Sequence, residues 1–465
     1  MPYKGEVASK HGHSEILSNP DVKNFLNSCI DVPKPSIEEL NAHFRSAKQL
    51  DGYDILLPDL ILAMDGSSYE SPVDGRYPSR MIGYLKISTV LLDMAKYENV
   101  KRSTTRFIDP IHVAKLQKET GAISLALPGA FVQDPNCGSV KESYRCAVQN
   151  YLRSPETELG GRTLYNTLVQ LVRYLGRVSL VDSVECIAFK TCVNKVCSEE
   201  TPKNPIFVGV DSGVGSCSLC GEKVYACDVL RTHEAFVESG SNIEAYNRLM
   251  TAIEHLLNAH YLYYLWKENP DYLSRMCILM DGPLAIFGQS AHLHRAIMLL
   301  LDDIRKDLFR RGLHEPVIMG VTKTGRVCEH FSQIDYLVPR NTVFPISDEY
   351  RYKFIEPTKL GSEKNFGDET YYGQDIFVKT NKGRQFNLCL SYPFASKRID
   401  KFRDEKVNLK NYAQLRRALS VIQTLESELY ENSMIPVVLA HRHASISLKP
   451  GGKVLDVLSR GAFSS

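Results

Sequence analysis

Residues 60–66 read Leu-Ile-Leu-Ala-Met-Asp-Gly, and residues 276–282 read Met-Cys-Ile-Leu-Met-Asp-Gly. Each is a short apolar run closed by Asp-Gly, the pattern of a buried strand with a carboxylate at its end. Ligands of open α/β sheets bind outside the carboxyl ends of the strands. Asp65 and Asp281 therefore stand where chemistry takes place if the two strands are neighbours. Asp-Gly is also an ordinary turn signal, and the glycine lets the chain turn sharply or lets a substrate backbone come close. Two carboxylates on adjacent strands could hold a divalent cation, and oxygen-only ligation favours Mg²⁺ or Mn²⁺ over zinc.

Working outward, Met81–Thr89 predicts a further strand and Pro316–Val321 a third buried one. Ser36 reads as a helix cap. Leu164–Leu175 predicts a helix stopped by Gly176. Ser241–Trp266 predicts the longest helix, with Ser241 and Glu244 as a capping box and Pro270 beyond its end. A helix over 291–311 carries Leu293, Ile297, Leu300, Leu301, Ile304 and Leu308 on one face, closed by Gly312. Strands alternating with helices define an α/β domain. The parts near Ser36, Asp65, Asp281 and Val317 then belong to one sheet, despite the long segment between them.

The chain has 465 residues, 43% apolar and 24% charged, which excludes wholesale disorder. Its 56 Lys and Arg against 54 Asp and Glu leave a formal charge of +2. A free-standing DNA binder advertises a basic surface in its total charge, so any nucleic-acid contact here is local or shared with a partner. The sequence shows neither a secretory signal at residues 1–13 nor an apolar stretch long enough to span a bilayer. A reducing cytoplasmic location is expected, where clustered cysteines point to metal rather than disulfides.

Cys192-x4-Cys197 and Cys217-x2-Cys220-Gly221 resemble the two knuckles of a zinc ribbon, with Cys186 and Cys227 as possible substitutes. This gives an inserted loop-rich, zinc-ribbon-like module at 191–223. A third carboxylate is sought in Val224–Phe236, where Asp228 and Glu234 share a face if the segment is extended. Lys323 follows the third strand and could neutralise charge on a phosphate. His441 and His443 follow Ile435–Ala440, read as a strand, and could ligate metal or donate a proton. The basic residues 305–311 complement a helix dipole, so DNA contact need not be invoked for them.

Taken in order, Asp65-Gly66-Ser67, the Glu234 neighbourhood, Ile278–Leu284, Gly320–Thr324 and Pro436 to His443 resemble NurA-domain nucleases. The likeness covers roughly residues 36–90 and 224–445. It implies an RNase H-like mixed sheet flanked by helices, and a DNA nuclease dependent on Mn²⁺ or Mg²⁺. It also implies a homodimer and a HerA-type hexameric ATPase as partner, acting in end resection, repair or defence against foreign DNA. Carried over by position, Asp65, Glu234 and Asp281 would hold the metal, with Lys323 and His443 assisting catalysis. Ile435 replaces a common Tyr, and the segment between Asp65 and Glu234 is long. Glu254 and Asp228 stay open as the third carboxylate, and His441 as the late histidine.

The implied organisation is an N-terminal segment at 1–50, a nuclease domain in two parts at 51–190 and 224–448, and a tail at 449–465. One alternative is a non-catalytic DNA-end adaptor that regulates the ATPase. Another is a hydrolase of small phosphoesters, disfavoured because Gly-x-Gly-x-x-Gly, Walker A and Gly-x-Ser-x-Gly fingerprints are all missing.

Overall fold

A computed structural model describes residues 16, 18–29, 33–47, 57–73, 78–103, 120–201, 204–357, 364–426 and 433–446. In chain order the strands are β1 (Arg45–Ser46), β2 (Leu60–Pro72), β3 (Met81–Asp93), β4 (Thr120–Pro128), β5 (Val178–Val181), β6 (Val184–Phe189) and β7 (Ile206–Gly209). They continue with β8 (Val214–Ser216), β9 (Lys223–Tyr225), β10 (Met276–Asp281), β11 (Val317–Thr322), β12 (Thr342–Pro345), β13 (Gly373–Lys379) and β14 (Gln385–Ser391).

Nine of them form one mixed sheet in the order β1-β12-β13-β14-β11-β10-β2-β3-β4. β10 lies parallel to both β2 and β11, and the other pairings are antiparallel. Of the three parallel strands, β10 and β11 are apolar almost throughout, and β2 is so over Leu60–Met64. Met276–Met280 and Val317–Val321 are buried throughout, as strands covered on both faces must be. Met280 pairs with Met64, so Asp65 and Asp281 occupy equivalent places on neighbouring strands. The strands before and after residues 191–223 thus join a single sheet, with β5-β6-β7 and β8-β9 as small antiparallel sheets between them.

β2 does not stop at Asp65-Gly66, as a turn would require, but runs through to Pro72. A side chain on Gly66 would meet Glu254 Oε1 at 2.7 Å and Met250 Cγ at 2.8 Å, and one on Gly83 would meet the Tyr246 ring at 2.3 Å. These two glycines therefore let the Ile243–Glu268 helix lie close on β2 and β3. Gly282, by contrast, has φ +115° and does turn the chain.

Ser36 and Glu39 form a reciprocal capping box on the Ile37–His43 helix. The box expected at Ser241 and Glu244 does not form. Ser241 Oγ donates to Glu70, Glu244 pairs with Arg248, and Asn242 holds the N-cap position with its side chain turned to the Val237 and Gly240 backbone. Ile435–Ala444 is a helix rather than a strand, with Pro436 in its first turn, where a missing N–H costs nothing. Val224–Phe236 is extended only at its start and then forms two 3₁₀ turns, so Asp228 and Glu234 share no strand face.

Candidate metal centre and active site

The edge of the sheet where β2 and β10 deliver Asp65 and Asp281 is covered by the Ile435–Ala444 helix. His441 Nδ1 lies 2.7 Å from Asp65 Oδ2. Because the segment is helical, His441 and His443 point in different directions, and it is His441 that faces the carboxylates. Ligand atoms of Asp65, Asp281 and His441 all lie within 4.8 Å of one another. Lys323, just past β11, donates to Asp281 Oδ2 at 2.7 Å. His443 is half-buried outside this set, its pKa lowered by burial and by Arg442 and Lys86.

Glu254 approaches from the Ile243–Glu268 helix, its carboxylate against the backbone of Gly66. Burial, then the charges of Asp65 and Asp281, push its pKa up to about 8. Burial and Asp281 likewise raise Asp65, partly offset by His441. Asp65 and Asp281 face each other with Lys323 and His441 to balance them, Glu254 adds its charge from the Gly66 side and outside the 4.8 Å set, and proton uptake relieves the excess. A divalent cation would relieve it too, so the donor set fits one.

Glu234 has different company. It is exposed and forms a two-point ion pair with Arg231, at 2.6 and 3.0 Å. Asp228 is buried and held by Arg145 at 2.9 and 2.7 Å, by Tyr225 N–H at 2.8 Å and by His233 at 3.3 Å. Neither joins the Asp65–Asp281 set. Glu254, kept open in the sequence as an alternative to Glu234, had a signal in its spacing. Tyr246, Met250 and Glu254 form one i, i+4, i+8 row along the helix, and a carboxylate in an otherwise buried row asks for a reason.

The four cysteines converge. Cys192 Sγ lies 3.7 Å from Cys220 Sγ, Cys197 Sγ lies 3.8 Å from Cys217 Sγ, and all four fall within 4.8 Å. Tetrahedral zinc with Zn–S of about 2.3 Å sets sulfurs about 3.8 Å apart, so these thiols could hold it. Backbone N–H groups of Cys220 and Leu219 pull Cys217 down to about 7, whereas burial pushes Cys192 up to about 12. Cys227 lies outside the cluster, its thiol against the Arg145 carbonyl at 3.4 Å, and Cys186 sits on β6.

The chain is thus an α/β protein whose mixed sheet carries a carboxylate–histidine cluster of Asp65, Asp281 and His441, of the kind that can hold a divalent cation. No family model matches the chain, and no curated protein matches it. Among solved structures it is similar to the NurA nuclease from Sulfolobus solfataricus, at 10% identity and a TM-score of 0.34, covering 98% of each chain. It is also similar to a further NurA crystal structure (11% identity, TM-score 0.26, 98% of this chain and 99% of that one). A NurA structure with manganese is similar at 14% identity and a TM-score of 0.18, over 96% of this chain and 95% of that one. Likeness at this level assigns no residue a role, and function rests on the chemistry of the site. No helix among the described residues is long and apolar enough to cross a membrane.

Proposed function

We propose that this chain is a divalent-metal-dependent DNA nuclease of the NurA type, built on an RNase H-like sheet. The observation that carries the reading is the convergence of Asp65, Asp281 and His441 within 4.8 Å, with Lys323 on Asp281. The run β4-β3-β2-β10-β11, an antiparallel meander followed by two strands parallel to β2, supports the fold assignment. Lys323 and His443 were expected to assist catalysis and Glu234 to bind metal. The geometry supports Lys323, favours His441 over His443, and favours Glu254 over Glu234.

When bound, Mg²⁺ or Mn²⁺ supplies charge neutralisation at the phosphate and lowers the pKa of water. Asp65 and Asp281 would hold the cation. Asp65 orients the His441 ring through its Nδ1–H, leaving Nε2 to accept or return a proton. Lys323 presents an ammonium beside the site of charge development. Glu254, whose pKa burial raises, would be a neighbouring carboxylate able to lose its proton to solvent when a cation is held at Asp65 and Asp281. The Cys192–Cys197–Cys217–Cys220 cluster would carry a structural Zn²⁺. A homodimer working with a HerA-type ATPase completes the reading, and its support is the order of motifs in the sequence.

A second reading has an observation of its own. Asp65 and Asp281 are already satisfied by His441 and Lys323 without metal, as a non-catalytic DNA-end adaptor would allow. Incubating end-labelled linear DNA with Mn²⁺, Mg²⁺ or EDTA separates the two. Metal-dependent cutting lost in Asp281→Asn supports the nuclease. DNA or ATPase binding with no cutting by the wild type selects the adaptor.

A further inference from the structure

Away from Asp65 and Asp281, a cavity of about 630 Å³ opens between the Gly288–His292 turn, the start of the Leu293–Arg310 helix and the loop at 395–398. A second cavity of about 620 Å³ adjoins it and is walled on one side by Lys190, Cys192 and Lys195 of the cysteine module. Arg177, Arg231 and Gln289 line both, so the two form one cleft.

The first cavity collects Arg177, Arg231, Arg295, Lys397 and Arg398 against two carboxylates, Asp368 and Glu369. This is a strong local excess in a chain whose net charge is +2. Glu234, in the second cavity, is taken up by Arg231. Among the described residues, Arg177 and Arg295 make no side-chain hydrogen bond or ion pair. The half-buried Arg177 is disfavoured as a cation by burial and by the charges of Arg231 and Arg295. Lys397 is 9% exposed and is fixed by carbonyl oxygens, of Gly367 at 2.6 Å and Asp368 at 2.8 Å, rather than by a carboxylate. His292 directs Nδ1 to the Gln289 carbonyl at 3.1 Å and leaves a buried Nε2 without a partner. Asp368, Glu369 and Glu234 balance part of this charge, and Arg231, Arg295 and Arg398 are exposed, so the excess faces solvent, where a polyanion can reach it. The basic residues at the far end of the same helix differ, since Lys306 and Arg311 pair with Asp302 and Asp307.

We propose that this cleft grips the sugar–phosphate backbone of DNA, with Arg177 and Arg295 as phosphate contacts and the cysteine module as one wall. The proposal rests on the nuclease reading and adds where the substrate lies. The joined cavities exceed the roughly 300–1,000 Å³ of an ordinary small-ligand pocket, and their cations are spread along the cleft rather than gathered at one point. Gln289 is eight residues beyond Asp281, within about 28 Å by chain reach. About eight base pairs of duplex, at 3.4 Å each, span that distance. Chain reach thus sets an upper bound on how far the cleft lies from Asp281, and the probe duplex is chosen longer than that span.

The test is fluorescence anisotropy of a labelled 30-mer duplex without added Mg²⁺ or Mn²⁺, across a salt series, so that no cutting is needed. Wild type is compared with Arg177→Ala/Arg295→Ala, with the exposed-loop variant Arg398→Glu, and with Lys306→Ala as a control outside the cleft. The double variant should bind about ten-fold more weakly and lose about one to two from the salt slope. Arg398→Glu should weaken binding in the same direction, while Lys306→Ala leaves it unchanged. Unaltered DNA affinity and slope in the double variant and in Arg398→Glu, with melting intact, would overturn the proposal. Calorimetric binding of inorganic phosphate that the double variant loses, without any change in DNA affinity, would also overturn it and reassign the cleft to a free anion. A wild type that binds DNA through these arginines but never cuts would sink the nuclease reading alone.

Discussion

Asp65 and Gly66 are adjacent in one strand and face opposite ways, and each needs its own identity. Asp65 meets His441 on one face of the sheet, and Gly66 makes room for Glu254 and Met250 on the other. Gly66→Ala would place a methyl group 2.7 Å from a buried carboxylate oxygen. We expect a loss of about 1–3 kcal/mol in denaturant unfolding and a lower cleavage rate. Unchanged stability would mean that Glu254 does not sit where the structure has it. The proton on Glu254 gives a second handle. Its pKa in the folded protein is about 8, against an ordinary 4.5, so the fold holds a proton that the unfolded chain releases. That contribution to stability is complete below pH about 4.5 and is lost as pH rises through about 8. Metal-free protein should therefore melt at progressively lower temperature from pH 5 to pH 9. Glu254→Gln should flatten that slope, and a slope unchanged in the variant would assign it to other groups.

At the scale of elements, legibility followed burial. The runs before Asp65 and Asp281, the run over Val317–Val321 and the Leu293–Arg310 helix were readable because continuous or periodic apolar residues leave few alternatives. β13 and β14 were not read, because β13 buries Gln374 and Asp375 among its apolar residues and so breaks the expected pattern. Asp375 is tolerated there because Arg351 meets it at 2.6 Å, a partner no local window reveals. Ile435–Ala440 misled through its β-branched content, although Pro436 in the first turn was a legible helix-start signal. Within the site, Asp65, Asp281 and Lys323 were legible as strand-end residues. Glu254 and the choice of His441 depended on how two helices cross the sheet, which spacing alone does not fix. The cysteine pairs were legible because their spacing is itself the signal. Purified protein should carry about one zinc per chain by elemental analysis. Cys217→Ser should remove it and lower stability by on the order of several kcal/mol. Protein with no zinc, and melting indifferent to a chelator, would show that the thiols pack without metal.

For the whole molecule, a net charge near zero hides a divided surface. Carboxylates meet in the middle of β2 and at the end of β10, and arginines and lysines line the cleft beside the cysteine module. Cutting DNA needs both, a cation held by the first and a backbone held by the second. The most direct test is the single-turnover cleavage rate of linear DNA as Mn²⁺ is titrated into wild type and Asp281→Asn. The account predicts a saturable, metal-dependent rate in the wild type and a loss of at least about 100-fold in the variant, with DNA affinity retained. Equal rates in the two proteins, or cutting that persists in EDTA, would contradict it and place the chemistry away from Asp65 and Asp281.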